Sequence, residues 1–289
     1  HGPATPAPWY AHLYMDAIAP RTASYGVHSP DKHWVVAMQP PITEAYEASK
    51  IDPFFRNRLR SLRSVDDIVH DAHALVGAYG ELGRTYFVLT SDHGLHMGQY
   101  RLGPCKRQPY EFDLRVPMVF VGPGIAAGRR GAVAGIPDLA PTFLALAGAS
   151  ESAARQMDGR SMVPLLLGDG LVERSRRARQ QSWRTSYLIE YYATTTGADV
   201  AHLSSHLKDS GNNTFVGLRV LNASLDLAYF EFTDVGTDYD FEHANFCELY
   251  NLTADPHQLV NLCAGAEGPP PALQAALRTE LYQEYACRT

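Results

Sequence analysis

The apolar positions of this chain change period along its length, and the changes mark its elements. From Asn57 to Tyr79 they fall at Leu59, Leu62, Val65, Ile68, Val69, Ala72, Leu75, Val76 and Tyr79, a three-three-four spacing that gathers on one face of a helix. Gly80 and Gly83 stop it. Two short β-branched and aromatic runs follow, Thr85 to Thr90 and Val116 to Val121, neither strictly alternating. Such runs suit strands covered on both faces of a parallel sheet. After the second run a Gly-rich turn, GPGIAAGRRG, leads to Pro137 to Ala149, where Asp138, Leu139 and Pro141 open another helix. Strand and helix alternate here, which predicts an α/β architecture with a mostly parallel sheet and helices on both faces.

The pattern differs on either side of this half. Residues 1–55 carry Pro3, Pro6, Pro8, Pro20, Pro30, Pro40, Pro41 and Pro53 with little periodicity, and read as long loops ordered by Trp9, Tyr10, Tyr14, Trp34 and Tyr46. Near Gly168 a polar, Arg-rich passage from Asp169 to Arg184 begins, read as a solvated linker. Beyond it Tyr187 to Tyr192, Val216 to Leu221, Leu225 to Phe232 and Glu248 to Leu252 read as short strands, and Ala272 to Tyr285 as an amphipathic helix. This predicts a smaller C-terminal antiparallel sheet with one helix, and two domains, 1–175 and 176–289.

With 289 residues and 45% hydrophobic content the chain can bury a sizeable core. A net charge of −6 and a pI near 6.0 exclude a general attraction to nucleic acid or anionic membranes, so any affinity for an anion must be local. No run approaches the roughly 18–20 apolar residues that span a bilayer. Asn212, Asn222 and Asn251 each open an N-x-S/T sequon, compatible with glycosylation in a secretory route. Four scattered cysteines make no disulfide scaffold; in an oxidising compartment the pairing expected is Cys263 with Cys287.

Between the two apolar runs lies the chemistry. Asp92 and His93 stand directly after the first run, and Gly94 lets the backbone turn sharply beside them. Burying an unpaired carboxylate is costly, so a metal is one partner that accounts for the pair. Oxygen donors suit Ca²⁺ or Mg²⁺ and an imidazole leans toward Zn²⁺; the bare residues favour zinc, and as much weight falls on Asp92 as a turn cap beside a surface imidazole. Lys106, Arg107 and Arg101 add positive charge to the same loop, an anion clamp for a phosphate or sulfate ester. His96 adds a titratable group there.

Several strings together resemble the sulfatase family of the alkaline-phosphatase-like superfamily, above all N-acetylglucosamine-6-sulfatases and algal-type arylsulfatases. They are TSDHGLHMGQYRL, KRQPYEFDLRVPM, VGPGI, HGPATPAPWY, DKHWVVAMQPPIT, RSVDDIV, MDGRSMVPLLLG and LYNLTADPHQLVNL, which span the chain nearly end to end. The resemblance implies an alkaline-phosphatase-like fold and a sulfuric ester hydrolase acting on an N-acetylglucosamine 6-sulfate type of sugar, as in glycosaminoglycan degradation, or on an aryl sulfate. It implies one Ca²⁺ with Asp92 and His93 among its ligands, and Lys106 on the sulfate oxygens. His1 would then be the catalytic acid or base, Lys32 and His33 would line the substrate entrance, and Arg107, Gln108, Tyr110 and Glu111 would shape the loop; His96 is expected among the substrate-binding residues.

The family's nucleophile is a cysteine in a C-x-P-x-R type motif, converted to formylglycine by a formylglycine-generating enzyme. None of Cys105, Cys247, Cys263 and Cys287 stands in such a motif. The chain therefore reads as the carboxyl-terminal part of a longer enzyme, inactive alone, with a lysosomal, cell-wall, periplasmic or extracellular destination. Two other readings stay open: a zinc-dependent phosphodiesterase or phosphatase of the same superfold, and a glycoprotein that only binds sulfated glycans.

Overall fold

Six strands form two antiparallel sheets in the computed structural model, which describes residues 4–154, 156–167, 183–193, 213–233, 240–266 and 268–286. Outside those residues lie His1, Asn212, Cys287, the 175/176 boundary and nearly all of the Arg-rich passage. Strand β1 (Phe87–Thr90) pairs with β2 (Met118–Val121), Phe87 opposite Val121 and Thr90 opposite Met118. That ladder is antiparallel, so the parallel arrangement expected for these two runs is corrected. The 27-residue chain between them folds back on itself and returns the second strand beside the first in the opposite sense.

The periodic helix is present and longer than its pattern, running Asp52–Ala78. Pro53 sits in its first turn, directly after a π-helical segment, Glu47–Ile51, from which the helix continues. Asp52, nearly buried, accepts from the Ala19 N–H at 2.9 Å and from Arg21 at 3.1 Å, which ties the preceding loops to the helix start. Gly80, at φ +71, ends it in the left-handed region. The Pro-rich first fifty residues hold short helical turns at Pro8–Tyr10, Trp34–Ala37 and Glu44–Tyr46.

The second sheet is ordered β3-β4-β5-β6, with β3 Ser186–Tyr191, β4 Thr214–Leu221, β5 Asp226–Thr233 and β6 Phe246–Asn251, every neighbour antiparallel. Alternation divides its side chains cleanly. Val216, Leu218, Val220, Leu227, Tyr229 and Leu249 pack with Leu277 and Leu281 of the helix Pro271–Ala286. Phe215, Ala228, Phe230, Phe232 and Tyr250 point the other way and pack with Val36, Tyr100, Leu102 and Tyr110 from the first half of the chain. Gly217 faces that second layer, where a Cβ would run into the Phe230 ring.

One charged contact joins the halves, and a disulfide closes within the second. Arg184, just before β3, grips the fully buried Asp138 with both guanidinium nitrogens at 2.7 and 2.9 Å, while Asp138 also accepts the N–H groups of Gly135 and Arg160. Cys247 of β6 is disulfide-bonded to Cys263, which corrects the expected Cys263–Cys287 pairing. The reason is local: Leu262 N–H donates to Leu249 O and Leu249 N–H to Asn261 Oδ1, so the 261–263 segment runs beside β6. Cys105 is a free thiol.

Candidate functional site

The loop from Ser91 to Pro117 is closed by its own backbone. Gly94 N–H donates to Asp113 O and Leu95 N–H to Phe112 O, both at 2.8 Å; His96 and Cys105 exchange N–H···O bonds at 2.9 and 3.2 Å; Gly98 N–H reaches Leu102 O at 2.8 Å. A Cβ at Gly94 would collide with the Phe112 carbonyl, so glycine is what lets the two limbs approach. At the tip, Gly98, Tyr100 and Arg101 take φ of +100, +50 and +65. This turn drives the Tyr100 ring into the core beneath the sheet.

The limbs bring Asp92, His93 and Lys106 together. His93 Nδ1 lies 2.6 Å from Gly94 O, and a carbonyl can only accept, so the proton sits on Nδ1 and Nε2 presents its lone pair. The Lys106 ammonium donates to that Nε2, which is also 3.2 Å from Asp92 Oδ2. The Asp92 side chain is 71% exposed and His93 24%, so the cluster opens to solvent on the carboxylate side. Burial works to raise the Asp92 carboxyl, but His93, the His93 N–H and Lys106 outweigh it and hold the group below the usual range. Among the described residues no three His, Cys, Asp or Glu side chains gather to hold a metal ion. Asp92 offers one hard oxygen donor that fits calcium; the imidazole beside it, a nitrogen facing an ammonium, does not.

His96 is fully buried rather than open to a substrate. Its Nδ1 is 2.7 Å from the Asp113 carboxylate, which also accepts the Gln108 N–H at 3.0 Å. The pair therefore braces the limb that carries Lys106, and the substrate-lining role expected of His96 is corrected. Lys32 and His33 are likewise buried, 2% and 4% exposed, and line no entrance. Lys32 Nζ donates to Tyr250 Oη at 2.7 Å and to Gln258 O, and lies 4.5, 5.1 and 4.3 Å from the ring centres of Tyr100, Tyr110 and Tyr250. Its charge is answered by Glu248, which accepts from Tyr250 Oη, the His33 N–H and Tyr110 Oη at 2.7, 2.7 and 3.3 Å.

Burial pushes the Lys32 ammonium down and the Glu248 carboxyl up, while each partly restores the other's charged form. The His33 ring stacks on Phe232 with 4.3 Å between ring centres, and burial lowers its pKa to about 3. These residues join the first half of the chain to the sheet.

Residues that the sequence did not single out hold the Lys106 limb from the sheet side. Asn213 Nδ2 donates to Arg107 O at 2.7 Å, Gln258 Oε1 accepts the Glu111 N–H at 2.8 Å, and Arg219 Nε meets Glu111 Oε1 at 3.0 Å. Only Asn213 carried a signal, as the middle residue of a sequon. Beside the limb a cavity of about 230 Å³ opens between Thr22, Gln99, Phe112 and Gln258; Asp92, His93 and Lys106 do not line it. Asn222, in the turn after β4, and Asn251, at the end of β6, are exposed, each accepting two backbone N–H groups.

A family model for sulfatases matches residues 22–149. Among curated proteins, N-acetylglucosamine-6-sulfatase of Bos taurus is 35% identical over 302 residues, covering 99% of this chain and 50% of that protein. The arylsulfatase of Chlamydomonas reinhardtii is 30% identical over 297 residues, 99% of this chain and 43% of that protein. Among solved structures, one determined in complex with its substrate D-glucosamine-2-N,6-O-disulfate superposes with a TM-score of 0.59 at 24% identity, covering 84% of this chain and 42% of that one. The chain thus spans about half the length of the curated relatives it matches. No described helix is long and apolar enough to cross a membrane. The fold matches that of the solved structure, and the chain is similar to sulfatases, by family model over residues 22–149 and by pairwise similarity over nearly its whole length.

Proposed function

We propose that this chain forms part of a sulfuric ester hydrolase acting on a sulfated amino sugar or an aryl sulfate. The observation that supports it is the meeting of the Lys106 ammonium with His93 and Asp92 at the solvent-facing rim of a loop whose His96, Tyr100, Leu102 and Tyr110 are buried. An ammonium held there can take two sulfuryl oxygens and stabilise the charge that grows on them as the ester bond breaks. His93, its proton fixed on Nδ1 by Gly94, keeps Lys106 aimed. Asp92 would hold a calcium ion with donors from outside the described residues; such an ion polarises the ester as a Lewis acid. His1 is the acid or base of this reading, and the formylglycine nucleophile belongs to chain outside these 289 residues. Asn222 and Asn251, exposed at one end of the sheet, are proposed as glycosylated in a secretory route.

The test is Lys106→Ala in the full-length protein co-expressed with a formylglycine-generating enzyme, assayed on 4-nitrophenyl sulfate and glucosamine 6-sulfate. Turnover should fall by about 10²–10³, the scale of one lost oxyanion-stabilising group. Near-normal turnover removes Lys106 from the site. Zinc-dependent hydrolysis of bis(4-nitrophenyl) phosphate with no sulfate release would replace the reading with the phosphodiesterase one.

A further inference from the structure

Lys106 lies on a stretch whose backbone is held at three successive points. Cys105 is bonded through both its N–H and its carbonyl to His96, and the Gln108 N–H is taken by the Asp113 carboxylate. Both of those holds come from within the loop itself. The third is different: the carbonyl of Arg107, the residue directly after Lys106, on the same peptide whose N–H goes to Asp113, accepts Asn213 Nδ2 at 2.7 Å, and Asn213 belongs to the C-terminal half, one residue before β4. Asn213 has no exposed surface, and the strand it precedes is clamped between β3 and β5 and buried on both faces. A buried amide of that kind has few rotamers open to it, so it fixes the peptide it holds.

We infer that Asn213 is a positioning residue for Lys106: the C-terminal sheet, through this one amide, sets where the anion-binding ammonium stands. Three neighbouring contacts repeat the logic at lower resolution, since Tyr110 is tied to Glu248 and Glu111 to both Gln258 and Arg219. Those contacts place the far end of the limb, whereas Asn213 acts one peptide bond from the functional side chain. The sheet is then a template for the site as well as a stabilising layer.

The inference rests on the proposed role of Lys106, and its test separates the two. In the full-length enzyme, Asn213→Ala should lower kcat by about 10- to 100-fold with KM little changed, the effect of a displaced catalytic group. In the Lys106→Ala background the same substitution should cost nothing further, because the group it positions is gone. Equal losses in both backgrounds mean a general structural role and overturn the inference, as does an unchanged kcat. Should the wild-type protein release no sulfate at all, the functional reading fails and the positioning is read chemically. Acetic anhydride labelling of Lys106, measured by mass spectrometry against the exposed Lys50, should then rise in Asn213→Ala as Lys106 leaves His93. Unchanged labelling overturns it. If Asn213→Ala does not fold, Asn213→Ser, whose hydroxyl is too short to reach Arg107 O, takes its place in both arms.

Discussion

The sheet β3–β6 and the helix Asp52–Ala78 carry comparable apolar patterns and meet opposite fates. Seven of the eight residues of β5 are buried, because a helix covers one face of the sheet and Tyr100, Tyr110 and their neighbours cover the other. The long helix instead shows Leu62, Ile68 and Leu75 at 53, 66 and 60% exposure, and Leu89, Val119 and Val121 of the two-stranded sheet are about half exposed. An apolar stripe stabilises only as far as something removes it from water. The sheet is covered by this chain's own residues, while the helix stripe has little cover among the described ones. Stability should therefore reside in the sheet and its seam with the site loop, and substitutions should rank accordingly.

The largest effect is expected where the seam is charged. Lys32→Met leaves Glu248 buried without its cation, and removing one member of a buried pair costs about 3–5 kcal/mol. Denaturant unfolding of wild type and variant would measure it. The double variant Lys32→Met, Glu248→Gln should recover much of that loss, since an unpaired buried charge no longer remains. A single variant as stable as wild type would show that the seam is open to water and that the contrast between the two regions is overstated.

Much of this arrangement was readable beforehand. The four strands of the second sheet fall within one or two residues of their apolar runs, and the loop bearing Asp92, His93 and Lys106 announces itself by composition. The direction of β1 and β2 did not, because continuous apolar runs do not tell parallel from antiparallel pairing. Continuous apolar runs report burial on both faces, and β4 and β5 are buried on both faces in an antiparallel sheet. Lys32 and His33 are expected at a substrate entrance from the resemblance alone, and their neighbours along the chain give no sign of their burial. The cage that buries them comes from Tyr100, Tyr110, Glu248 and Tyr250, up to 218 residues away along the chain. The Arg107–Asn213 bond has a separation of 106 residues and is invisible for the same reason.

A pH-dependent effect belongs to the same seam. His33 has a folded pKa of about 3 against roughly 6.5 when unfolded. At neutral pH neither state binds the proton and the residue is silent. Below about pH 6.5 the unfolded chain takes a proton that the native ring refuses until about pH 3, so stability falls with falling pH, by at most about 1.4 kcal/mol per unit. Glu248, raised by burial, works in the opposite sense, because the native state takes its proton first as the pH drops. His33→Phe keeps the stack on Phe232 and removes only the first contribution. Its stability should therefore decline less between pH 6.5 and 3 than that of wild type, and parallel profiles would show that the ring protonates in place.

The smallest effect should come from the other region. Ile68, 66% exposed on the helix, becomes a better helix former as lysine and loses little buried area. In the 289-residue chain Ile68→Lys should shift stability by no more than about 0.5 kcal/mol while reducing self-association, because it breaks the apolar stripe shared with Leu62 and Leu75. A loss of about 2 kcal/mol or more in unfolding measurements would mean that the stripe is covered in solution. The helix would then belong with the sheet as an interior element, and the division of stability drawn between the two regions would have to be abandoned.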